Sequence, residues 1–385
     1  MERFDVLVVG AGPAGSTAAY RLAKGGASVL LADRAHFPRD KPCGGGLTIR
    51  AVRQLPVAID PVVEDVVDRF ELRLGFGRSF ERHGREPLCL MTQRKRLDAY
   101  LAEEAAGAGA DFRDGTKVSE ISLTREGVRA SVGDDLVDAQ VLIGADGANG
   151  VTARALELGA DYGHGVALEG NVRYGTVPRE RYQGRLVLEL GNVPGGYGWV
   201  FPKGDHVNIG VGGWASEGPR LRHHLGRLCE QHGVSTSDLE DVRGYRLPYR
   251  RTSSPLVRGR ALLVGDAAGL LDPLTGDGIY EALVSSRLAA QTVGDFLESR
   301  APDLSAYHDR VVTAVGSLAR TAWRAKHALD RFPRLFFLTA QLPPTWWAIE
   351  RLVRGDLASP AEARGLSRAP LRFIEALAGR AEPAH

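Results

Sequence analysis

The chain of 385 residues is poor in sulfur and in lysine: three cysteines, two methionines, and six lysines among 49 basic residues. Cys43, Cys89 and Cys229 lie far apart and form no CxxC pair. That argues against a zinc site or a disulfide framework and fits a reducing compartment. Charge of one sign is missing too. With 49 basic against 47 acidic residues the net charge is +2, so no nucleic-acid partner is indicated and the arginine excess reads as compositional bias. No apolar run reaches the ~18 residues that a spanning helix needs. The adjacent His223 and His224 would point to different faces of a helix, so no metal is expected. Internal repeats and low-complexity tracts are lacking. The first apolar strand begins at residue 4, which leaves no room for a signal peptide. A cytoplasmic location follows, with membrane contact at most peripheral. A hydrophobic share of 44% is enough for a large core, and the length suggests two or three structural units.

What is present starts at once. Residues 4–15 (FDVLVVGAGPAG) run from an apolar strand into a glycine-rich turn, and residues 16–24 read as a helix. A second apolar run at 28–33 (SVLLAD) ends on an acid. This is a dinucleotide fingerprint in its required βαβ context. Gly10 allows the tight turn, Gly12 lets the backbone approach a diphosphate, and Gly15 lets the helix pack close to the strand. The helix N-terminus offers free N–H groups to phosphate, and Asp33 is placed for an adenosine ribose, with Arg34 beside it.

The fingerprint alone does not separate NAD from FAD, but distant segments do. Residues 139–150 (AQVLIGADGANG) form a strand ending in an Asp-Gly turn at Asp146. Residues 259–280 (GRALLVGDAAGLLDPLTGDGIY) form another strand, ending at Asp266, followed by a glycine-rich helix start at Gly276, Gly278 and Ile279. A strand that delivers an Asp to the ribityl and phosphate region completes a flavin site, and a nicotinamide domain has no use for it. The chain thus resembles the glutathione-reductase-like FAD oxidoreductases of the aromatic-hydroxylase type across residues 4–280. The expected fold is α/β: a discontinuous FAD-binding domain (1–75, 92–160, 255–300), an inserted antiparallel substrate-binding sheet (76–91, 161–254) and a helical C-terminal region (301–385).

Two further segments narrow the chemistry. Residues 37–47 (FPRDKPCGGGL) carry a triple glycine, Gly44 to Gly46, suited to close approach to a planar ring, with Cys43 at its edge. Residues 194–203 (PGGYGWVFPK) place Tyr197, Trp199 and Phe201 on one face of a strand that ends at Pro202. Three aromatics there suit an apolar substrate, although the spacing also suits plain sheet-core packing.

With these segments, and with Pro273 to Tyr280, the chain resembles the geranylgeranyl reductase family. That resemblance implies reduced FAD saturating carbon–carbon double bonds of an isoprenoid: a lipid, a chlorophyll precursor or a menaquinone tail. It carries flavin contacts over to Ala14, Asp33, Cys43, Gly44, Arg94, Val118, Asp266, Gly278 and Ile279; Gly45 extends the set. The Arg94/Asp98 pair of the family is kept, while Asp33 and Asp277 stand where Glu is commoner. Hydride would pass to one alkene carbon and a proton to the other. Cys43 is the first candidate donor, since a thiol ordinarily keeps its proton at neutral pH, with packing under the isoalloxazine as its other role; Tyr280 is a second candidate. No second GxGxxG unit is present, so the expected electron donor is transiently bound NADPH or a ferredoxin. The partners expected are an isoprenoid or lipid substrate and a membrane surface met by aromatic C-terminal helices carrying Phe336, Phe337, Trp346 and Trp347. The competing class is a flavin monooxygenase or halogenase acting on an aromatic or apolar small molecule. Its Trp-x-Trp-x-Ile-Pro signature differs from Tyr197-Gly-Trp-Val-Phe-Pro202. A prenyl-carrying escort, the non-enzymatic alternative, would lack an intact flavin fingerprint.

Overall fold

The apolar run at residues 4–9 becomes the central strand of a parallel sheet in the computed structural model, which describes residues 1–158, 162–250 and 254–357. Strand Glu2–Val9 is flanked by Val29–Ala32 and Asp135–Gly144, with Asp111–Arg113 and Ala261–Leu263 outside them, all parallel. Such strands are apolar along their whole length because both faces are covered. Val6, Leu7, Leu31, Leu142 and Leu262 have no exposed surface, and each contributes about 1.5–3 kcal/mol by leaving water. The register is what matters for function. Val9 pairs with Ala32 and with Gly144, and Gly144 with Leu263. Four strands therefore stop in one row, and the residues that follow them (Gly10, Asp33, Ala145 and Val264, the last leading into Gly265) crowd the carboxyl edge where open α/β sheets bind ligands.

Helices Pro13–Lys24, Arg94–Gly107 and Ile279–Leu297 pack together. Gly15 and Gly10 meet where the first helix leaves the sheet: a Cβ on Gly15 would overlap the carbonyl oxygen of Gly10. The alternating segments at 118–123 and 128–132 form an antiparallel hairpin that joins the sheet through Asp135–Gly144.

A second sheet has seven strands, in the order Glu240–Arg250, Tyr162–Arg173, His206–Trp214, Tyr197–Pro202, Arg185–Leu190, Arg69–Leu74 and Arg78–His83. It is not wholly antiparallel as expected, since Arg69–Leu74 runs parallel to Arg185–Leu190. The boundary expected after residue 75 falls in the turn of the hairpin Arg69–His83. Helix Leu221–Gln231 covers one face, burying Leu225, Leu228 and Cys229 against Val200, Val207 and Ile209. Tyr197, Trp199 and Phe201 are left on the other face. A small third sheet, Gly46–Thr48, Cys89–Met91 and Asp65–Val67, lies at the Cys-Gly-Gly-Gly segment.

Helices Ala306–Arg331, Pro333–Ala340 and Pro343–Arg354 follow; the expected helical region beyond residue 357 lies outside the described residues. Phe337 is buried edge-on against Phe80 at 5.1 Å, and Phe336 shares a cluster with Tyr197 and Leu274. The aromatic helices thus pack onto the second sheet next to the Tyr197 face. Among the described residues no helix is long and apolar enough to cross a membrane.

Candidate functional site: a dinucleotide cradle facing an aromatic slab

Gly10 takes a φ of 101°, and a Cβ there would come within 2.6 Å of the Ala145 carbonyl oxygen, so only glycine fits the strand-to-helix turn. Asp33 is buried. Its Oδ2 accepts the Ala11 N–H at 2.8 Å and its Oδ1 the Ala35 N–H at 2.9 Å. Each oxygen keeps a lone pair for a sugar hydroxyl. Arg34, beside it, is exposed.

Gly12 faces two guanidinium groups. A Cβ there would lie 3.5 Å from Arg39 and 3.7 Å from Arg94. Arg94 binds Asp98 at two points, 2.7 and 2.6 Å, and Arg39 reaches the same carboxylate at 2.8 Å. Burial would lower the Arg94 pKa, but Asp98 overrides it and the guanidinium is held firmly charged. Two cations on Asp98, with Asp33 3.6 Å from Arg39, make a basic wall beside a bare backbone. A diphosphate fits there, and Ala14 lies in the first turn of the adjoining helix.

At the second glycine-rich helix start, Asp266 accepts from Lys41 at 2.8 Å and from the Tyr245 hydroxyl at 2.6 Å. Burial pushes its pKa up, yet Lys41 and these bonds leave it below the usual carboxylate range. A Cβ on Gly278, at the start of helix Ile279–Leu297, would meet Asp266 Oδ1 at 3.1 Å. Gly276, with a φ of 66°, lies beside the Tyr197 hydroxyl, which donates to the Thr275 carbonyl. Asp146 turns its Oδ2 onto Val151 N at 2.7 Å and Thr152 N at 2.9 Å, and its buried Oδ1 has no hydrogen-bond partner among the described residues. Val118 is packed in the core of the first sheet.

The third part lies between the Cys43–Gly46 segment and the second sheet. The triple glycine makes its closest approach to the second sheet: a Cβ on Gly44 would be 2.7 Å from the Phe201 ring, and one on Gly45 would overlap the Lys203 amine. The slab residues stand in a row, with ring centres 6.2 Å apart for Tyr197–Trp199 and 6.4 Å for Trp199–Phe201. Pro202 closes that strand, with its side chain buried. Trp199 Nε1 donates to Asn208 Oδ1 at 2.7 Å. Cys43 is half-buried, its N–H on Glu169 Oε1 at 2.7 Å and its Sγ accepting from Gly45 N at 3.4 Å. Burial raises Glu169 above the usual carboxylate range and lowers Lys203 below the usual ammonium range. Tyr280 instead lies against the Arg50 guanidinium, 4.4 Å from its ring centre.

From sequence alone, Tyr245, Glu169 and Asn208 had no role, and Arg39, Lys41 and Lys203 only a place in a motif. Gly210 and Gly212 were missed as well, although glycines inside a strand mark close approach; Gly210 lies under the Trp199 indole.

A glycine turn on a parallel sheet, a basic wall beside a bare backbone and a buried Asp at the second glycine-rich helix start fit an FAD-dependent oxidoreductase. Residues 3–176 match the FAD binding domain family. The chain is 32% identical to the menaquinone reductase of Mycolicibacterium smegmatis over 95% of each chain. It is 31% identical to the geranylgeranyl diphosphate reductase of Synechocystis over 75% of this chain and 74% of that one. A geranylgeranyl bacteriochlorophyll reductase-like structure from Thermoplasma acidophilum superposes with a TM-score of 0.76 at 26% identity, covering 98% of this chain and 96% of that one. The flavin-dependent brominase Bmp2 shares the fold, with a TM-score of 0.79 at 19% identity, covering 99% and 100%. The chain belongs to the geranylgeranyl reductase family of FAD-dependent oxidoreductases.

Proposed function

We propose that the protein saturates carbon–carbon double bonds in the isoprenoid chain of a lipid, the tail of a menaquinone-type quinone being the substrate class that its relatives suggest. Bound FAD, once reduced, supplies the hydride. The chain's own residues do the rest. Gly10, Gly12 and the Arg39/Arg94 wall hold the diphosphate, Asp33 the ribose, and Asp266 with Gly276, Gly278 and Ile279 the flavin end. Asp146 shapes the turn after its strand, and Val118, buried in the core of the first sheet, is the further flavin contact that the family resemblance implies. Ala14 and Arg34 flank the phosphate and ribose ends.

Tyr197, Trp199 and Phe201 offer an apolar face to a prenyl unit and exclude water from it. Cys43, at the edge of the slab, is the proton donor. The observation that carries this reading is the slab itself, a row of three aromatics that runs from Phe201 and Trp199 at Gly44 to Tyr197 at Gly276, with Gly210 making room for its central ring. Reducing equivalents come from transiently bound NADPH or from a ferredoxin. Exposed Phe332, Leu338 and Leu342, with Arg331 and Arg334 also at the surface, suit contact with the membrane that holds such a substrate. The experiment is anaerobic turnover of a prenyl quinone by the chemically reduced enzyme, read by mass spectrometry as gain of two hydrogens per double bond.

A further inference from the structure

Cys43 is gripped from the second sheet at both ends of its residue. Glu169, on strand Tyr162–Arg173, accepts its N–H at 2.7 Å; Lys203, just past strand Tyr197–Pro202, lies 3.4 Å from its carbonyl oxygen and donates to the Thr92 carbonyl at 2.9 Å. The negative group thus faces the N–H and the positive group the carbonyl, each with the sign that the peptide dipole favours. Glu169 is 9% exposed and Lys203 4%. Among the described residues neither takes part in an ion pair within 4 Å.

The other charged or titratable groups around the thiol are Arg94 on its helix, Tyr245 on strand Glu240–Arg250, and Asp40 on the same loop as Cys43. Arg94 is committed to Asp98, and Tyr245 is bonded to Asp266. Glu169 and Lys203 are therefore the two groups in direct contact with the Cys43 backbone whose charge no close ion pair satisfies.

We infer that Glu169 and Lys203 are positioning residues: from the second sheet they fix the Cys43–Gly45 turn and set the electrostatic environment of the thiol in opposite senses. This rests on the reading of Cys43 as part of the reaction centre. The two side chains fix the place of Cys43 against the slab from opposite ends of its peptide group, and they act on a thiolate in opposite senses, since a nearby anion disfavours it and a nearby cation favours it.

The test uses the FAD-loaded protein and needs no substrate. Cys89 and Cys229 are buried, so iodoacetamide labelling followed by mass spectrometry reads Cys43. In Glu169→Gln the pH midpoint of labelling should fall by about one unit, and in Lys203→Met it should rise by about one unit. The double variant should return toward wild type, with flavin content unchanged throughout. If Lys203→Met does not fold, Lys203→Gln makes the same test. Midpoints that stay put, that move in the same direction, or that are accompanied by loss of flavin from both variants overturn the inference. Failure of the wild-type enzyme to reduce any prenyl chain counts against the proposed function alone, because the labelling shifts do not depend on it.

Discussion

Trp199 and Gly210 are register partners on adjacent antiparallel strands, and the indole ring fills the space where a Cβ on Gly210 would stand. The glycine makes room for the central ring of the slab, and Asn208, two residues earlier on the same strand, fixes the ring through Nε1. Gly210→Val should push the indole out of line without touching the dinucleotide cradle. The expected result is normal flavin content with turnover of the prenyl substrate reduced tenfold or more, and Trp199→Ala should match it. Equal turnover by either variant would remove the slab from the mechanism.

The Arg94–Asp98 pair predicts a different behaviour. Asp98 has no exposed surface and Arg94 is nearly as buried. Removing Arg94 leaves buried Asp98 with Arg39 as its remaining cation, so the cost should stay below the about 3–5 kcal/mol of a fully stranded buried charge. Arg94→Met should therefore lose stability in urea unfolding even without flavin. Arg39→Gln, whose side chain is partly exposed, should unfold nearly as wild type but hold FAD more weakly.

Asp33→Ala should weaken FAD retention roughly ten- to a hundredfold, the equivalent of one charged hydrogen bond at about 1.5–3 kcal/mol. Gly12→Val should be worse, because the valine side chain would enter the space before Arg39 and Arg94 where a diphosphate fits. Flavin content after gel filtration at successive dilutions distinguishes the two.

His232 sets a pH dependence. It is buried beside the Tyr182 hydroxyl, 3.0 Å from Nδ1, and burial lowers its pKa to about 3 from 6.5. The unfolded chain binds this proton more readily than the folded one, so stability falls as pH drops below 6.5 and is unaffected above it. The loss should reach roughly 2 kcal/mol by pH 5. Thermal melting from pH 7.5 to 5 should show a smaller acid-induced drop in His232→Gln than in wild type.

Much of the cradle was legible in the sequence because local rules dictate it. Glycines at a strand-to-helix turn, an acid at the end of the next strand and a late Gly-Asp strand each have one economical use, and the fold brings them to one edge. The face of Tyr197, Trp199 and Phe201 follows from strand alternation alone. Glu169 and Asn208 were not legible, because their roles depend on how the second sheet meets the Cys43 loop. Glu169 is 126 residues from its partner Cys43. The parallel pairing of Arg69–Leu74 was equally hidden, since alternation shows a strand's faces but not its neighbour's direction.

The most direct test of the central claim is high-resolution mass spectrometry of a prenyl quinone incubated without oxygen with the reduced, FAD-loaded protein. The expected products are heavier by two hydrogens per reduced bond, with the quinone ring unmodified. An unchanged prenyl chain, together with an oxygenated or halogenated small molecule formed once oxygen is admitted, would contradict the claim.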